Sequence, residues 1–176
     1  MQKRDMHGKG KQSPIAIRPA RRRDLISITG IYNEAIETTN ATFDTTLKTL
    51  KEQGDWFSRH GEKYPLLVAE LDGKVTGWAS LSQWSDRCAY SGTAEISLYV
   101  NSRNRGKGVG RRLLFEIVEA GRKAGLHTVI ARISEGNAIS VHLHESVGFE
   151  KVGVMREVGR KFGKLLDVHM YQLIYS

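Results

Sequence analysis

Three glycines at alternate positions punctuate the segment Arg105-Gly106-Lys107-Gly108-Val109-Gly110-Arg111, and the two stretches flanking it have different periods. Upstream, Ala94, Ile96, Leu98 and Val100 alternate with Thr93, Glu95, Ser97 and Tyr99, which is the period of a strand. Downstream, Val109, Leu113, Leu114, Ile117 and Val118 recur at helical spacing as far as Gly125. A strand, a Gly-rich turn and a helix in that order aim backbone N–H groups and the positive helix end at one point, where they bind phosphate oxygens. Arg105, Lys107 and Arg111 would add charge-assisted hydrogen bonds to the same oxygens. A connecting turn without a ligand is the plainer reading, and the spacing and surroundings decide between the two.

The spacing excludes two phosphate motifs. G-x-G-x-x-G fails because its last position is Arg111 when counted from Gly106 and Leu113 when counted from Gly108. The Walker pattern fails because no Gly-Lys-Ser or Gly-Lys-Thr occurs. What remains is Arg105-x-x-Gly108-x-Gly110.

Charge narrows the class of partner. The 176 residues carry a net charge of +8, which suits a nucleic acid, a membrane surface or an anionic small ligand. Part of the excess (Lys3, Arg4, Lys9, Lys11) lies in residues 1–14, which read as a disordered basic tail; residues 15–176 suit one domain with one core. The rest gathers at Arg103, Arg105, Lys107, Arg111 and Arg112, around the glycines. No common nucleic-acid recognition motif accompanies it, so neither a nucleic-acid nor a membrane partner is expected. A non-catalytic nucleic-acid module stays as the remote alternative, with strongly salt-dependent binding as its mark. No apolar run approaches the roughly 20 residues of a membrane span, and the basic start lacks the apolar stretch of a signal peptide. Cys88 is the lone cysteine, which agrees with a cytoplasmic location.

Along the chain, Ile15–Arg18 reads as a strand ending at Pro19, and Asp24 as the N-cap of a helix carrying Leu25, Ile28, Ile31 and Ile36. Residues 38–45 read as a loop, followed by a second helix from near Thr46 to Gly61. Pro65–Leu71 and Lys74–Ser82 form a hairpin about Asp72-Gly73. An irregular stretch from Gln83 to Gly92 precedes the strand Thr93–Asn101. After the long helix come a strand at Thr128–Ser134, a helix at Asn137–Val147, and strands at Phe149–Met155 and Leu166–Leu173. The order β-α-α-β-β-β-α-β-α-β-β describes an α/β (α+β) fold, a mixed central sheet flanked by helices.

Asn137-Ala-Ile-Ser140 and Leu143-His144-Glu-Ser-Val-Gly148-Phe149 follow the Gly-rich loop in the order seen in the GNAT superfamily of N-acetyltransferases, which the chain resembles over roughly Ile15 to Tyr175. The resemblance implies that acetyl-CoA is the co-substrate. Its pyrophosphate would lie on Arg105, Gly106, Lys107, Gly108, Val109, Gly110 and Arg111, its pantetheine arm along the backbone of Leu98, Tyr99 and Val100, with Asn137 and Ser140 also on the cofactor side. The segments Ile31-Tyr32-Asn33-Glu34-Ala35-Ile36-Glu37-Thr38, Tyr90 to Val100, Leu143-His144-Glu145 and Phe162-Gly163-Lys164-x-Leu166-Asp167-Val168 are similar to the phosphinothricin and methionine sulfoximine acetyltransferase group. That group implies a small methionine-like amine as acceptor, direct transfer and a homodimer. A protein N-terminus, a polyamine or an aminoglycoside is the alternative acceptor.

Transfer from a thioester to an amine needs a proton acceptor for the amine, polarisation of the carbonyl and protonation of the leaving thiolate. Glu95 is expected as the base, through a water; a strand carboxylate paired with a nearby Arg is the competing reading. His144 stands where most GNAT enzymes have Tyr, and is expected at the active site as the acid for the thiolate or as the base. Asn137 would bind the CoA arm, cap its helix, or do both. Glu34, Phe43, Arg87 and Tyr90 are the candidate acceptor-binding residues. No metal is expected, and Cys88 lacks an activating neighbour for a covalent route.

Overall fold

The computed structural model describes residues 14–176, so the expected basic tail lies, apart from Pro14, outside the described residues. The strands are β1 Ala16–Pro19, β2 Leu66–Leu71, β3 Lys74–Gln83, β4 Thr93–Val100, β5 Thr128–Ser134, β6 Glu150–Lys161 and β7 Lys164–Ile174. The helices are α1 Leu25–Thr38, α2 Leu50–Phe57, α3 Val109–Lys123 and α4 Ala138–Glu145. The strands form one mixed sheet in the order β1-β2-β3-β4-β5-β7-β6. Every neighbouring pair is antiparallel except β4 and β5. This is the fold class and element order expected.

Alternation along the strands builds two cores. Leu67, Ala69, Ala79, Leu81, Ala94 and Ile96 face α3, whose stripe of Val109, Leu113, Leu114, Ile117 and Val118 is buried against them. Leu66, Val68 and Trp78 lie on the opposite face beneath Ile28 and Ile31 of α1. Each Val, Leu or Ile side chain among these, fully buried, contributes about 1.5–3 kcal/mol, and the two layers together hold the sheet between helices.

β4 and β5 pair only at Thr93↔Thr128, Ala94↔Val129 and Glu95↔Ile130. Beyond Glu95 the strands part: Ile96–Val100 keep β3 as their partner and Ala131–Ser134 keep β7. The centre of the sheet is therefore split, with backbone groups of β4 open on one side. A split in a buried sheet leaves hydrogen-bonding capacity for something other than the sheet itself.

Four local expectations are corrected. The second helix starts at Leu50, not near Thr46, because Thr49 and Glu52 form a capping box, with Glu52 Oε2 accepting from the Thr49 N–H at 2.8 Å. Lys48 is held out of the helix by Asn33, which accepts from its N–H at 2.9 Å and donates to its carbonyl at 3.0 Å. The helix also ends at Phe57 rather than Gly61. Asp24 stands at the N-cap of α1 as expected, but its side chain makes no capping bond: its carboxylate accepts from the Arg21 N–H at 2.7 Å and pairs with Arg18. Finally, β6 and β7 run on past their expected ends to a turn at Phe162-Gly163, both with positive φ. Their outer halves were hidden because Arg156, Glu157, Arg160 and Lys164 interrupt the apolar alternation.

Candidate active site

The loop after β4 is tied down before it reaches the glycines. Asn101 accepts from the Arg103 N–H at 3.0 Å, and the Glu34 carboxylate accepts from the Ser102 N–H at 3.3 Å and from the Asn101 amide at 3.3 Å. Arg105 Nε donates back to the Val100 carbonyl at 3.2 Å. Gly106 (φ 73°) and Gly108 (φ 85°) then adopt the left-handed conformation that a Cβ resists, and Gly108 is the N-cap of α3. Arg112 is the first residue to donate into the helix, to the Gly108 carbonyl at 3.1 Å. The N–H groups of Val109, Gly110 and Arg111 thus point out of the positive helix end. At Gly110, α3 packs against β4 and α4: a Cβ there would meet Leu98, Val100 and Leu143 at an ordinary contact distance of 3.7 Å. Arg105, Lys107 and Arg111 make no ion pair with a carboxylate among the described residues. Free N–H donors and cations without a carboxylate partner at one helix start fit a pyrophosphate, and the open edge of β4 leads to them.

Where β4 and β5 part lies a cleft of about 500 Å³. Of the residues singled out in the sequence, Phe43, Glu95, Leu98, Tyr99, Asn137, Ser140 and His144 all line it. Glu95 pairs through both oxygens with Arg132, Oε1 to Nε at 2.6 Å and Oε2 to Nη2 at 2.9 Å, and the guanidinium carbon lies 6.0 Å from the Trp84 ring. Asn137 accepts from the Ser140 N–H at 3.2 Å and so caps α4 while bordering the cleft.

His144 is 6 % exposed, and its Nδ1 lies 2.8 Å from the Ser140 carbonyl. A carbonyl only accepts, so Nδ1 carries the proton and Nε2 is left with a lone pair. Burial pushes the imidazole below its ordinary value of 6.5, partly offset by the Ser140 bond. The ring stands edge-on to Phe149 at 5.1 Å, which fixes its plane. A neutral imidazole in this tautomer accepts at Nε2; donating from that atom first requires a second proton.

Tyr32, Thr42 and Asp44 also line the cleft and escaped the sequence reading. Tyr32 donates to Asp44 at 2.6 Å and lies 3.0 Å from the Thr42 hydroxyl, with burial raising its phenol well above the usual range. Tyr99 meets Tyr32 edge-on at 5.0 Å, and burial lifts its phenol to about 12. The opposite wall is held by the hairpin: Lys161, buried, donates to the Thr42 carbonyl at 2.7 Å, and Phe43 packs where a Cβ on Gly159 would stand, 2.2 Å from the ring. Arg132 and Ser134 were missed as well. Their signal was two polar residues at alternate positions of the otherwise apolar stretch 129–134.

Three expected acceptor residues lie outside the cleft. Glu34 is corrected to a loop anchor, both oxygens being directed at Asn101 and Ser102. Arg87 and Tyr90 sit on the exposed connection between β3 and β4, which closes on the start of β4 through the Trp84 N–H and the Thr93 carbonyl, and neither borders the cleft. A larger cavity of about 870 Å³ between Pro19, Phe57, Leu67 and Ala120 is mostly apolar, and its histidine, His60, has both ring nitrogens engaged by Trp56 and Ser82. Among the described residues no group of His, Cys, Asp and Glu is placed to hold a metal.

Residues 17–170 match the acetyltransferase (GNAT) domain family. The chain is 42 % identical over 160 residues to an L-methionine sulfoximine/L-methionine sulfone acetyltransferase of Pseudomonas aeruginosa, covering 90 % of this chain and 93 % of that one. Among solved structures, a ribosomal-protein-alanine N-acetyltransferase from Brucella melitensis superposes with a TM-score of 0.88 at 41 % identity, covering 91 % of this chain and 99 % of the other. A phosphinothricin acetyltransferase from Sinorhizobium meliloti, in complex with acetyl-CoA, superposes with a TM-score of 0.87 at 35 % identity, covering 91 % and 88 %.

Proposed function

The chain belongs to the GNAT acetyltransferase family and is an acetyl-CoA-dependent N-acetyltransferase, and from that premise we propose that it acetylates the primary amine of a small amino-acid-like acceptor of the methionine sulfoximine, methionine sulfone or phosphinothricin type. The observation that carries this reading is the parting of β4 and β5, which leaves a strand edge leading from the Gly108 loop to a confined cleft holding Glu95 and His144. Acetyl-CoA supplies the acetyl thioester; everything else falls to the chain. The loop N–H groups of Val109, Gly110 and Arg111, with Arg105 and Lys107, hold the pyrophosphate, and the open edge of Leu98, Tyr99 and Val100 holds the pantetheine arm. A backbone N–H of the same edge polarises the thioester carbonyl. Glu95, through a water, takes one proton from the ammonium of the acceptor. The second proton lost when the amide forms would go to the departing sulfur, and the lone pair of His144 Nε2 could accept a hydrogen bond from the resulting thiol. Attack is direct, by the amine on the thioester carbon.

A protein N-terminus is the second reading, suggested by what the Brucella melitensis enzyme is called. Small acceptors are favoured because the Lys161–Thr42 bond and the Phe43–Gly159 contact hold the β6–β7 hairpin against one wall of the cleft, where a continuing polypeptide would need a way out. We also propose a homodimer, for which Val152, Val158, Phe162 and Leu165 supply exposed apolar surface on that hairpin. A cytoplasmic location agrees with the unpaired, exposed Cys88. No helix among the described residues is long and apolar enough to cross a membrane.

The test is thiol release from acetyl-CoA across L-methionine sulfoximine, L-methionine sulfone, phosphinothricin, the common amino acids, polyamines, an aminoglycoside and an alanine-starting peptide. Turnover concentrated on the first three supports the reading; turnover on the peptide or polyamines alone overturns it.

A further inference from the structure

The ion pair between Glu95 and Arg132 poses a problem for catalysis, because the carboxylate that should take a proton has both oxygens on a guanidinium. Arg132 stands at the cleft in the middle of an otherwise apolar strand segment, Val129-Ile130-Ala131-Arg132-Ile133, where a cation is not needed for packing. It is half-exposed, so the pair has access to solvent and to a ligand. Of the other acidic group on the cleft wall, Asp44, one oxygen already serves Tyr32 at 2.6 Å and Lys48 at 3.1 Å. Among the described residues lining the cleft, Arg132 is the one Arg or Lys.

We propose that Arg132 is the anchor for the carboxylate of the acceptor, and that an acceptor carrying one releases Glu95 by taking its place on the guanidinium. This rests on the acceptor reading above and deepens it: the substrate class is the α-amino acid, selected by its charge pattern. An α-amino acid places an ammonium and a carboxylate two bonds from each other. Set against the adjacent Glu95 and Arg132, it exchanges one ion pair for two, carboxylate on guanidinium and ammonium on Glu95, so that no charge is left unpaired in the cleft. The planar fork of the guanidinium suits either carboxylate equally, which makes the exchange a like-for-like one. The indole of Trp84, 6.0 Å from the guanidinium carbon, continues to support it after Glu95 has left. An amine without a carboxylate has nothing to offer Arg132. Opening the pair for it would strand the guanidinium, so Glu95 stays held and the base is not delivered. Arg132 thereby couples recognition of the acceptor to release of the group that deprotonates it.

The experiment compares kcat/KM for L-methionine sulfone, L-methionine sulfoximine and phosphinothricin with that for the corresponding α-carboxamides, in wild type, Arg132→Met and Arg132→Lys. Wild type is expected to favour the carboxylates by roughly tenfold or more, the worth of one charge-assisted contact. Arg132→Met should erase that preference, chiefly through KM, and should raise kcat on the carboxamides because Glu95 is no longer held. Arg132→Lys, with charge but no fork, should fall between. An Arg132→Met variant that loses the same factor on both members of each pair, or that keeps the wild-type preference, overturns the proposal while leaving the acceptor reading intact. A wild-type enzyme that turns over only amines lacking a carboxylate overturns both. Arg132→Gln repeats the measurement if the Met variant is poorly soluble.

Discussion

The Nδ1 of His144 lies 2.8 Å from the carbonyl oxygen of Ser140, one helical turn earlier, and this bond decides which ring nitrogen faces outward with a lone pair. Because burial also holds the imidazole below 6.5, the working form at neutral pH is neutral. The acid limb of the kcat profile assigned to His144 should therefore lie below pH 6.5, and His144→Asn should lower kcat by roughly tenfold, the worth of one hydrogen bond. A profile measured with saturating acetyl-CoA checks both. Activity that rises as pH falls through 6.5 would mean that the imidazolium is the active form.

The same burial makes a stability prediction. His144 and His60 are both held below 6.5 by desolvation, so on acidification the unfolded chain takes up protons before the folded one does. Stability should be fully present above about pH 6.5 and should decline as pH falls toward the depressed folded values. Urea midpoints between pH 8 and pH 5 measure this, and His144→Gln should flatten part of the slope.

Gly108, at φ 85° and at the cap of α3, should not tolerate a β-branched side chain. Gly108→Val is expected to cost about 1–2 kcal/mol in the folded protein and to reduce the thermal stabilisation given by acetyl-CoA, since the side chain enters the cradle of N–H groups. Differential scanning fluorimetry with and without acetyl-CoA separates the two effects. An undiminished ligand shift would detach the loop from pyrophosphate binding.

Phe43 and Gly159 touch closely enough that a Cβ at 159 would stand 2.2 Å from the ring. Gly159→Ala should push Phe43 from its place on the cleft wall and raise KM for the acceptor while KM for acetyl-CoA changes little. Equal changes in both constants would show a general disturbance of the sheet instead.

What could be read from the chain was local. The Gly108 loop, the alternation of β4, the stripe of α3 and the Asn137 cap each announce themselves through spacing over a few residues, and they led to the donor side of the site. Glu95 and His144, which line the cleft, could be singled out for the same reason, being close in sequence to those signals. The acceptor side was not. Arg132 meets Glu95 across 37 positions of chain, and Lys161 meets Thr42 across 119, so no short window contains either pair. Glu34 misled because its position on α1 is compatible with the acceptor side, whereas its carboxylate turns to the backbone of Ser102. Competition between a capping box and helical periodicity moved the start of α2 in the same way: Thr49 and Glu52 satisfied the N–H groups that Thr46 would have left open.

Glu95 is the group we propose to deprotonate a small acceptor amine at the parting of β4 and β5. Steady-state thiol release with saturating acetyl-CoA and L-methionine sulfone, compared between wild type and Glu95→Gln, tests it most directly. The variant should lose about 10²–10⁴-fold in kcat while binding acetyl-CoA with unchanged affinity. A Glu95→Gln enzyme with wild-type kcat across the pH range would contradict it.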